Sequence, residues 1–215
     1  MQVEVERKFV CDSDIQQKLQ QIGAVCLGQR EFRDQYFDSD DFTLTLRDFW
    51  LRKRDASWEL KRPSASRRSV ERSSERLCTN YRELTDPREI KAELTEVMRT
   101  ESCADDEEFE SWLQRLTLKC FAEFTTVRRS YALGDEGDGT RVRVDLDQAD
   151  FGYCVGEIEV LVSDGEDTTL AMRRIEEAAL KLGLAGEKKV QGKMEVYLKR
   201  FHPHHYTQLL DAHVL

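Results

Sequence analysis

The segment Glu4-Val5-Glu6-Arg7-Lys8 lies in a run near the N-terminus, residues 1–10, where charged and apolar residues largely alternate. Because successive side chains of a β-strand point to opposite faces, this period of two predicts a strand. One face then carries two carboxylates and an ammonium group, while the other face is mainly apolar. A single strand of this kind is typical of a half-buried antiparallel sheet with a wet charged face.

Two later segments repeat the pattern. Asp145 and Asp147 follow Arg143 on one face of a predicted strand, and Glu157 and Glu159 alternate with apolar residues in the next. Three predicted strands therefore carry paired carboxylates.

Composition limits what these strands can belong to. A chain of 215 residues can bury a sizeable core, and we expect a single domain over 1–201 followed by a tail or short helix over 202–215. No apolar run is long enough to span a bilayer, and the six scattered cysteines form no CxxC pair. We expect a soluble cytoplasmic monomer without membrane or zinc binding. His202, His204 and His205 are interpreted as part of an exposed tail.

The net charge of −9 disfavours general nucleic-acid binding, but cations are concentrated locally. Residues 47–76 contain ten Arg or Lys against five Asp or Glu. Within this segment Trp50, Arg52 and Arg54 share one strand face, and Lys61 follows on the next strand after a predicted turn at 55–56. A small anionic partner could bind at such a hairpin.

Three other segments matter for the site. The Ser- and Arg-rich stretch 63–80 has few apolar residues and predicts a flexible surface loop. The strand expected over 121–133 contains Arg128 and Arg129, and a one-residue register shift decides which of the two faces the charged side. Residues 190–201, which include Lys193, are interpreted as a last extended segment.

Strands interspersed with helices, many with one charged face, indicate an α+β fold with an antiparallel sheet. If the sheet closed with its apolar faces outward, the charged faces would meet inside. Two like charges about 4 Å apart repel by roughly 4 kcal/mol at an effective dielectric near 20, so converging carboxylates need a cation. Oxygen ligands favour Mg²⁺, with Mn²⁺ as an alternative. Since the cationic strands would bind an anion, the pattern points to a metal-bound polyphosphate.

These motifs resemble the CYTH, or triphosphate tunnel metalloenzyme, superfamily. The resemblance rests on the ExExK motif at 4–8, on segments 49–54 and 58–61, and on segments 143–153 and 155–159 in the same order. It covers nearly the whole chain. The family resemblance implies an eight-stranded antiparallel closed β-barrel with helices packed outside. It also implies an enzyme that hydrolyses thiamine triphosphate to thiamine diphosphate and phosphate with Mg²⁺.

The resemblance further implies roles for individual residues. The implied metal ligands are Glu4, Glu6, Asp145, Asp147, Glu157 and Glu159. The implied catalytic residues are Glu4, Glu6, Lys8, Glu157 and Glu159. The implied phosphate-binding residues are Lys8, Arg52, Arg54, Lys61, Arg128, Arg143 and Lys193. Trp50 is expected to stack on the cationic thiazolium ring of the substrate, and Tyr36 to line the same end.

Two alternatives stay open. The same tunnel could hydrolyse inorganic triphosphate or nucleoside triphosphates, or cyclise ATP, and Trp50 is the main feature that favours thiamine. The chain could also be a non-catalytic module that binds polyphosphate or phosphorylated protein, although its full set of acids speaks against this.

Overall fold

A computed structural model describes residues 2–63, 77–100, 107–134, 141–163, 168–184 and 189–215. Within these ranges eight antiparallel strands close into a barrel. The strands, in chain order, are β1 (Gln2–Phe9), β2 (Val25–Asp38), β3 (Trp50–Arg54), β4 (Ser57–Pro63), β5 (Cys78–Leu84), β6 (Lys119–Leu133), β7 (Val142–Ala149) and β8 (Tyr153–Ser163). Their order around the barrel is β1-β5-β4-β3-β2-β6-β7-β8, and pairing of β1 with β8 closes it. The prediction of a closed antiparallel barrel is confirmed.

Helices lie outside the barrel wall. In the described ranges they are α1 (Ile15–Gln21), α2 (Pro87–Met98), α3 (Phe109–Arg115), α4 (Thr169–Lys181), α5 (Lys193–Phe201) and α6 (Pro203–Asp211), with a short 3₁₀ turn at Thr45–Arg47. The start of α2 follows from its sequence. Asp86 accepts a hydrogen bond from the Arg88 amide at 2.7 Å, and Pro87 occupies the first turn, where its missing N–H costs nothing.

The period of two in β1 separates the inside of the barrel from the outside. Val3, Val5 and Phe9 point outward and are almost fully buried under α1 and α4. The ring of Phe9 lies directly over Gly156 of β8, where an added Cβ would be 2.1 Å from Phe9 Cζ. A glycine is therefore required at 156 to let the ring cover the strand.

The apolar core consists of clusters around the barrel. One lies between α1, α4 and strands β1, β7 and β8, and a second joins α2 and α3 to β3, β4 and β5. A smaller aromatic cluster, centred on Tyr36 and Phe124, is covered by Tyr197 of α5. Because the two larger clusters cover apolar faces on the outside, the inner face is left mainly to polar and charged side chains, with aromatic residues such as Tyr36 and Trp50 among them.

Two expectations about segments were wrong. Part of the predicted loop 63–80 is strand, since Pro63 ends β4 and Cys78 begins β5; residues 64–76 lie outside the described residues. The sequence did not indicate β5 because this segment has few apolar residues. Pairing with the neighbouring strands of the barrel stabilises it. Lys193 begins helix α5 rather than lying in an extended segment.

The predicted exposed histidine tail was also wrong in one respect. His205 is buried in α6, where its Nε2 lies 2.8 Å from Thr45 Oγ1 and its ring stacks on Phe42 with centroids 3.8 Å apart. Thr45 Oγ1 in turn donates to the buried Asp38 carboxylate at 2.7 Å. These contacts attach α6 to the 3₁₀ turn. In the described chain, no helix combines the length and the apolar character that a membrane crossing requires.

Candidate active site

The barrel encloses a cavity of about 670 Å³. Thirteen of the residues predicted from sequence line it: Glu4, Glu6, Lys8, Tyr36, Trp50, Arg52, Arg54, Lys61, Arg128, Arg143, Glu157, Glu159 and Lys193. They come from seven strands and from the first turn of α5. Barrel closure therefore brings together the charged faces that are far apart in sequence.

The paired carboxylates of β1 and β8 face each other across one strand interface. In the register of these strands Glu6 lies opposite Glu159, and Lys8 lies opposite Glu157. Glu6 accepts a hydrogen bond from the Lys8 ammonium and a second from Thr79 Oγ1 at 3.1 Å. Glu159 has no ion-pair partner anywhere in the described ranges, although it too is buried.

Asp145 and Asp147 lie behind this surface, buried in the barrel wall rather than on the cavity lining. Both hold the guanidinium of Arg128. Its Nε and Nη2 donate to the two oxygens of Asp147 at 2.6 Å each, and its Nη1 lies 2.6 Å from Asp145 Oδ2. Nη2 also donates to Glu157 at 2.8 Å. These aspartates fix Arg128 in one orientation.

Of the two adjacent arginines of β6, only Arg128 faces inward. Arg128 is buried in the cavity wall, whereas Arg129 points outward and donates to Gln16 and Gln29 at 2.5 and 2.9 Å. Lys193 reaches the same network from α5, with its ammonium group against Asp147. Arg143 is half-exposed and donates to Asp145 at 2.9 Å.

The cations of β3 and β4 are also held by acids. Arg52 Nε donates to Glu59 at 2.5 Å, and Lys61 contacts Glu4. Arg54 makes a two-point ion pair with the fully buried Asp34, with N–O distances of 2.7 and 2.8 Å. Such bidentate pairs fix a guanidinium in direction as well as position.

The electrostatic effects on the carboxylates differ. Burial alone would raise the pKa of Glu6, but the Lys8 and Lys61 ammonium groups hold it well below its ordinary value. Burial, reinforced by the nearby Glu4 carboxylate, raises the pKa of Glu159 to about 8. Glu159 thus lies where an added cation would be favourable.

The carboxylates at this strand interface fit a metal ion by donor type. Glu4, Glu6 and Glu159 supply only oxygen ligands at one end of the strand interface, which suits a hard divalent cation. With lysines contacting Glu4 and Glu6, no three Asp, Glu, His or Cys side chains of the described chain form a ready metal-binding group. The oxygen donors fit a divalent metal by their chemistry. The ammonium groups of the lysines that contact Glu4 and Glu6 lie beside the carboxylates that a metal would bind.

Trp50 and Tyr36 lie at one end of the cavity. The Trp50 indole is partly buried, and its Nε1 donates to Asp48 at 2.9 Å. The Tyr81 hydroxyl donates to the same Asp48 oxygen at 2.8 Å. Trp50 also packs against the aromatic cluster around Tyr36. The indole therefore contacts both the core and the cavity, in an orientation set by Asp48.

A model of the CYTH domain matches residues 2–192 of the chain. The chain belongs to the CYTH domain family. Family membership implies a divalent metal, in agreement with the oxygen-donor set described above.

Relatives of this CYTH chain include a thiamine-triphosphatase of Homo sapiens, 36% identical over 98% of the chain and 90% of the relative. A thiamine-triphosphatase of Macaca fascicularis is 34% identical over the same shares. Among solved structures, a protein of Pyrococcus horikoshii OT3 matches with a TM-score of 0.57 at 19% identity, covering 92% of this chain and 99% of its own. A Hippeastrum protein described as having a dominant triphosphatase activity matches with a TM-score of 0.57 at 15% identity, over 93% and 96%. These two structures support the fold.

Several residues of the CYTH tunnel were missed from sequence. Arg30, Phe32 and Asp34 precede Tyr36 at steps of two on β2, so the alternation could have identified them. Tyr81 and Glu83 lie on β5, and no signal in that polar segment distinguished them from loop residues. Asp48 precedes β3 and became recognisable only through its contact with Trp50.

Proposed function

We propose that this protein hydrolyses thiamine triphosphate to thiamine diphosphate and phosphate. The proposal rests on the lining of the barrel interior. Cations and acids face inward side by side, and an indole at one end is held by a hydrogen bond to a carboxylate. The curated relatives named thiamine-triphosphatase share this whole length of chain. We expect the protein to act in the cytoplasm as a monomer on a free small molecule.

Phosphate binding follows from the cations. Arg52, Arg54, Arg128 and Lys61 line the cavity and are each held by an acid, which fixes the positions of their cationic groups. Fixed guanidinium groups match phosphate oxygens at two points, and they require no reorganisation when charge develops during transfer. Lys8, Arg143 and Lys193 complete the proposed phosphate-binding set.

The proposed metal is Mg²⁺, with Mn²⁺ as the alternative. Glu4, Glu6, Glu157 and Glu159 would hold it, and Asp145 and Asp147 would act from behind by orienting Arg128. When bound, a divalent cation polarises phosphate oxygens and neutralises their charge. This assignment differs from the expectation for Asp145 and Asp147 as direct ligands, because both lie in the barrel wall against Arg128 and not on the cavity lining.

Hydrolysis requires water to attack the terminal phosphorus while its bond to the bridging oxygen breaks. The carboxylates of β1 and β8 would orient this water and take up its proton. The arginines and lysines stabilise the charge on the phosphoryl oxygens and on the leaving diphosphate. Exclusion of bulk water by the barrel strengthens these interactions.

Substrate choice would depend on Trp50. A thiazolium ring carries a positive charge, and a cation over an indole face is favourable. Tyr36, with its buried ring beside this position, completes an aromatic wall. The rival function is a general triphosphatase, because most of the lining recognises phosphate alone.

The experiment is to measure phosphate release from thiamine triphosphate, ATP and inorganic tripolyphosphate, each with Mg²⁺, with Mn²⁺ and with chelator. We expect the highest kcat/KM for thiamine triphosphate and loss of turnover with chelator. Glu159→Gln protein purified in the same way controls for contaminating phosphatases. Equal kcat/KM for all three substrates would favour the general triphosphatase, and binding without turnover would favour a non-catalytic module.

A further inference from the structure

Arg30 lies on the inner face of β2 and was not among the predicted site residues. It lines the cavity and lies opposite Arg128 in the register of β2 and β6. Every other cation that the described strands project into the cavity has a carboxylate partner, as the ion pairs above show. Arg30 has none among the described residues. An inward guanidinium without an acid is unusual in a barrel so rich in carboxylates.

The ring of Phe32 gathers Arg30 with two other arginines. The Cζ atoms of Arg30, Arg54 and Arg128 lie 4.8, 4.1 and 5.5 Å from the centroid of this ring. Phe32 is buried, and its π-face attracts cations. The aromatic ring therefore holds three like charges close together, of which two are compensated by acids and one is not.

The environment of Arg30 is accordingly positive. Burial and the charges of Arg54, Arg128 and Arg143 lower the pKa of Arg30 from its ordinary value. Arg30 is also exposed, so it is reachable by a ligand that enters the tunnel. A ligand with a concentrated negative charge would relieve the repulsion among these arginines.

The position of Arg30 along the tunnel defines which part of a ligand it would meet. Asp34 lies opposite Arg54, and the antiparallel register places Trp50 on one side of this pair and Arg30 on the other. Trp50 is four residues from Arg54 along β3, and Arg30 is four residues from Asp34 along β2. Trp50 and Arg30 therefore lie at opposite ends of the β2–β3 wall.

We propose that Arg30 is a further substrate-binding residue, which contacts the terminal phosphate of the triphosphate, the group farthest from the thiazolium ring. This inference rests on the proposed function, because Trp50 is what orients the substrate. With the ring at Trp50, Arg52 and Arg54 lie along the intermediate phosphates and Arg30 lies beyond them. Arg30 then distinguishes a triphosphate from the diphosphate product, which does not extend that far.

The test measures binding by titration calorimetry in the Glu159→Gln background, where turnover is blocked. Arg30→Ala should weaken thiamine triphosphate about ten- to hundredfold, as expected for loss of a charge-assisted hydrogen bond. Thiamine diphosphate should change by less than about twofold, since it does not reach Arg30 in the proposed pose. Arg30→Lys, which keeps the charge but loses the two-point geometry, should be intermediate.

Arg33→Ala is the matched control. Arg33 lies on the outer face of the same strand, where it pairs with Glu123 at 2.6 Å, so the change removes the same charge away from the tunnel. We expect it to alter neither ligand. An Arg30→Ala loss that is equal for the two thiamine compounds, or absent for both, would overturn the proposal.

A second arm separates this proposal from the proposed function. Inorganic tripolyphosphate has no ring, so its binding does not depend on thiamine recognition. Arg30→Ala should weaken tripolyphosphate even if the protein rejects thiamine compounds. An unchanged affinity for tripolyphosphate would show that Arg30 does not contact phosphate at all.

Discussion

Replacement of Trp50 by alanine is the change that separates thiamine recognition from recognition of phosphate alone. The indole is partly buried at the cavity wall and is held by Asp48, so its face is pre-oriented and partly desolvated. A cation over an indole is worth about 0.5 kcal/mol when exposed and about 2 kcal/mol when desolvated. An intermediate value near 1.4 kcal/mol corresponds to about tenfold. We therefore expect kcat/KM for thiamine triphosphate to fall about tenfold through this contact, with lost packing adding to the effect.

The assay compares kcat/KM for thiamine triphosphate and for tripolyphosphate in the wild type and in Trp50→Ala. Tripolyphosphate has no ring to stack, so its hydrolysis should change little, and the ratio of the two constants should fall towards one. Trp50→Phe is the matched control, since it keeps an aromatic face but cannot donate to Asp48; it should retain part of the preference. An equal loss for both substrates would refute the reasoning and would show that Trp50 serves only to hold the barrel wall.

Three further predictions concern charge, pH and packing. Glu6→Gln and Glu159→Gln should both abolish metal-dependent turnover. Glu6→Gln should lower the melting temperature of the metal-free protein because it breaks the ion pair with Lys8, whereas Glu159→Gln should keep or raise it. Thermal melts with chelator check this, and identical shifts of the two variants would contradict it. Burial lowers the pKa of His205 from 6.5 to about 4. The contribution of the neutral ring to stability is therefore complete above pH 6.5 and is lost as the pH falls towards 4, and the loss is at most about 3 kcal/mol. His205→Asn should flatten the pH dependence of the unfolding free energy in that window, and an unchanged slope would show that the ring is not kept neutral. Gly156→Ala should destabilise by about 1–3 kcal/mol through overlap with Phe9, and Phe9→Leu in the same chain should recover part of the loss in denaturant unfolding if the overlap is the cause.

Much of the tunnel was predictable because its strands are amphipathic, with charged residues on the inner face of the barrel and apolar residues on the outer face. In β1, β7 and β8 the apolar residues recur at every second position, and their alternation with charged residues identifies both the strand and the face. The same logic placed Trp50, Arg52 and Arg54 on one face of β3. A period of two is a local property, since it follows from backbone geometry within one strand. The sequence therefore determined which side chains point together.

The failures occurred where local pattern and tertiary context disagree. Strand β5 is polar and is held by pairing with β1 and β4, which only closure of the barrel provides. The segment that starts at Lys193 is helical because its apolar residues cover the aromatic cluster on the barrel wall. Arg128 and Arg129 are adjacent, so the choice between them depends on strand register, which is a property of a pair of strands and not of one.

The sequence by itself determined the alternation, the residue types of the site and the family to which the chain belongs. The tertiary structure alone decided which charges are partnered. Asp145 and Asp147 lie in the wall and orient Arg128, Glu159 is left without an ion pair among the described residues, and Arg30 joins Arg54 and Arg128 around Phe32. The physical reason is that electrostatic energy depends on distance and burial across strands, and neither is encoded by spacing along one strand.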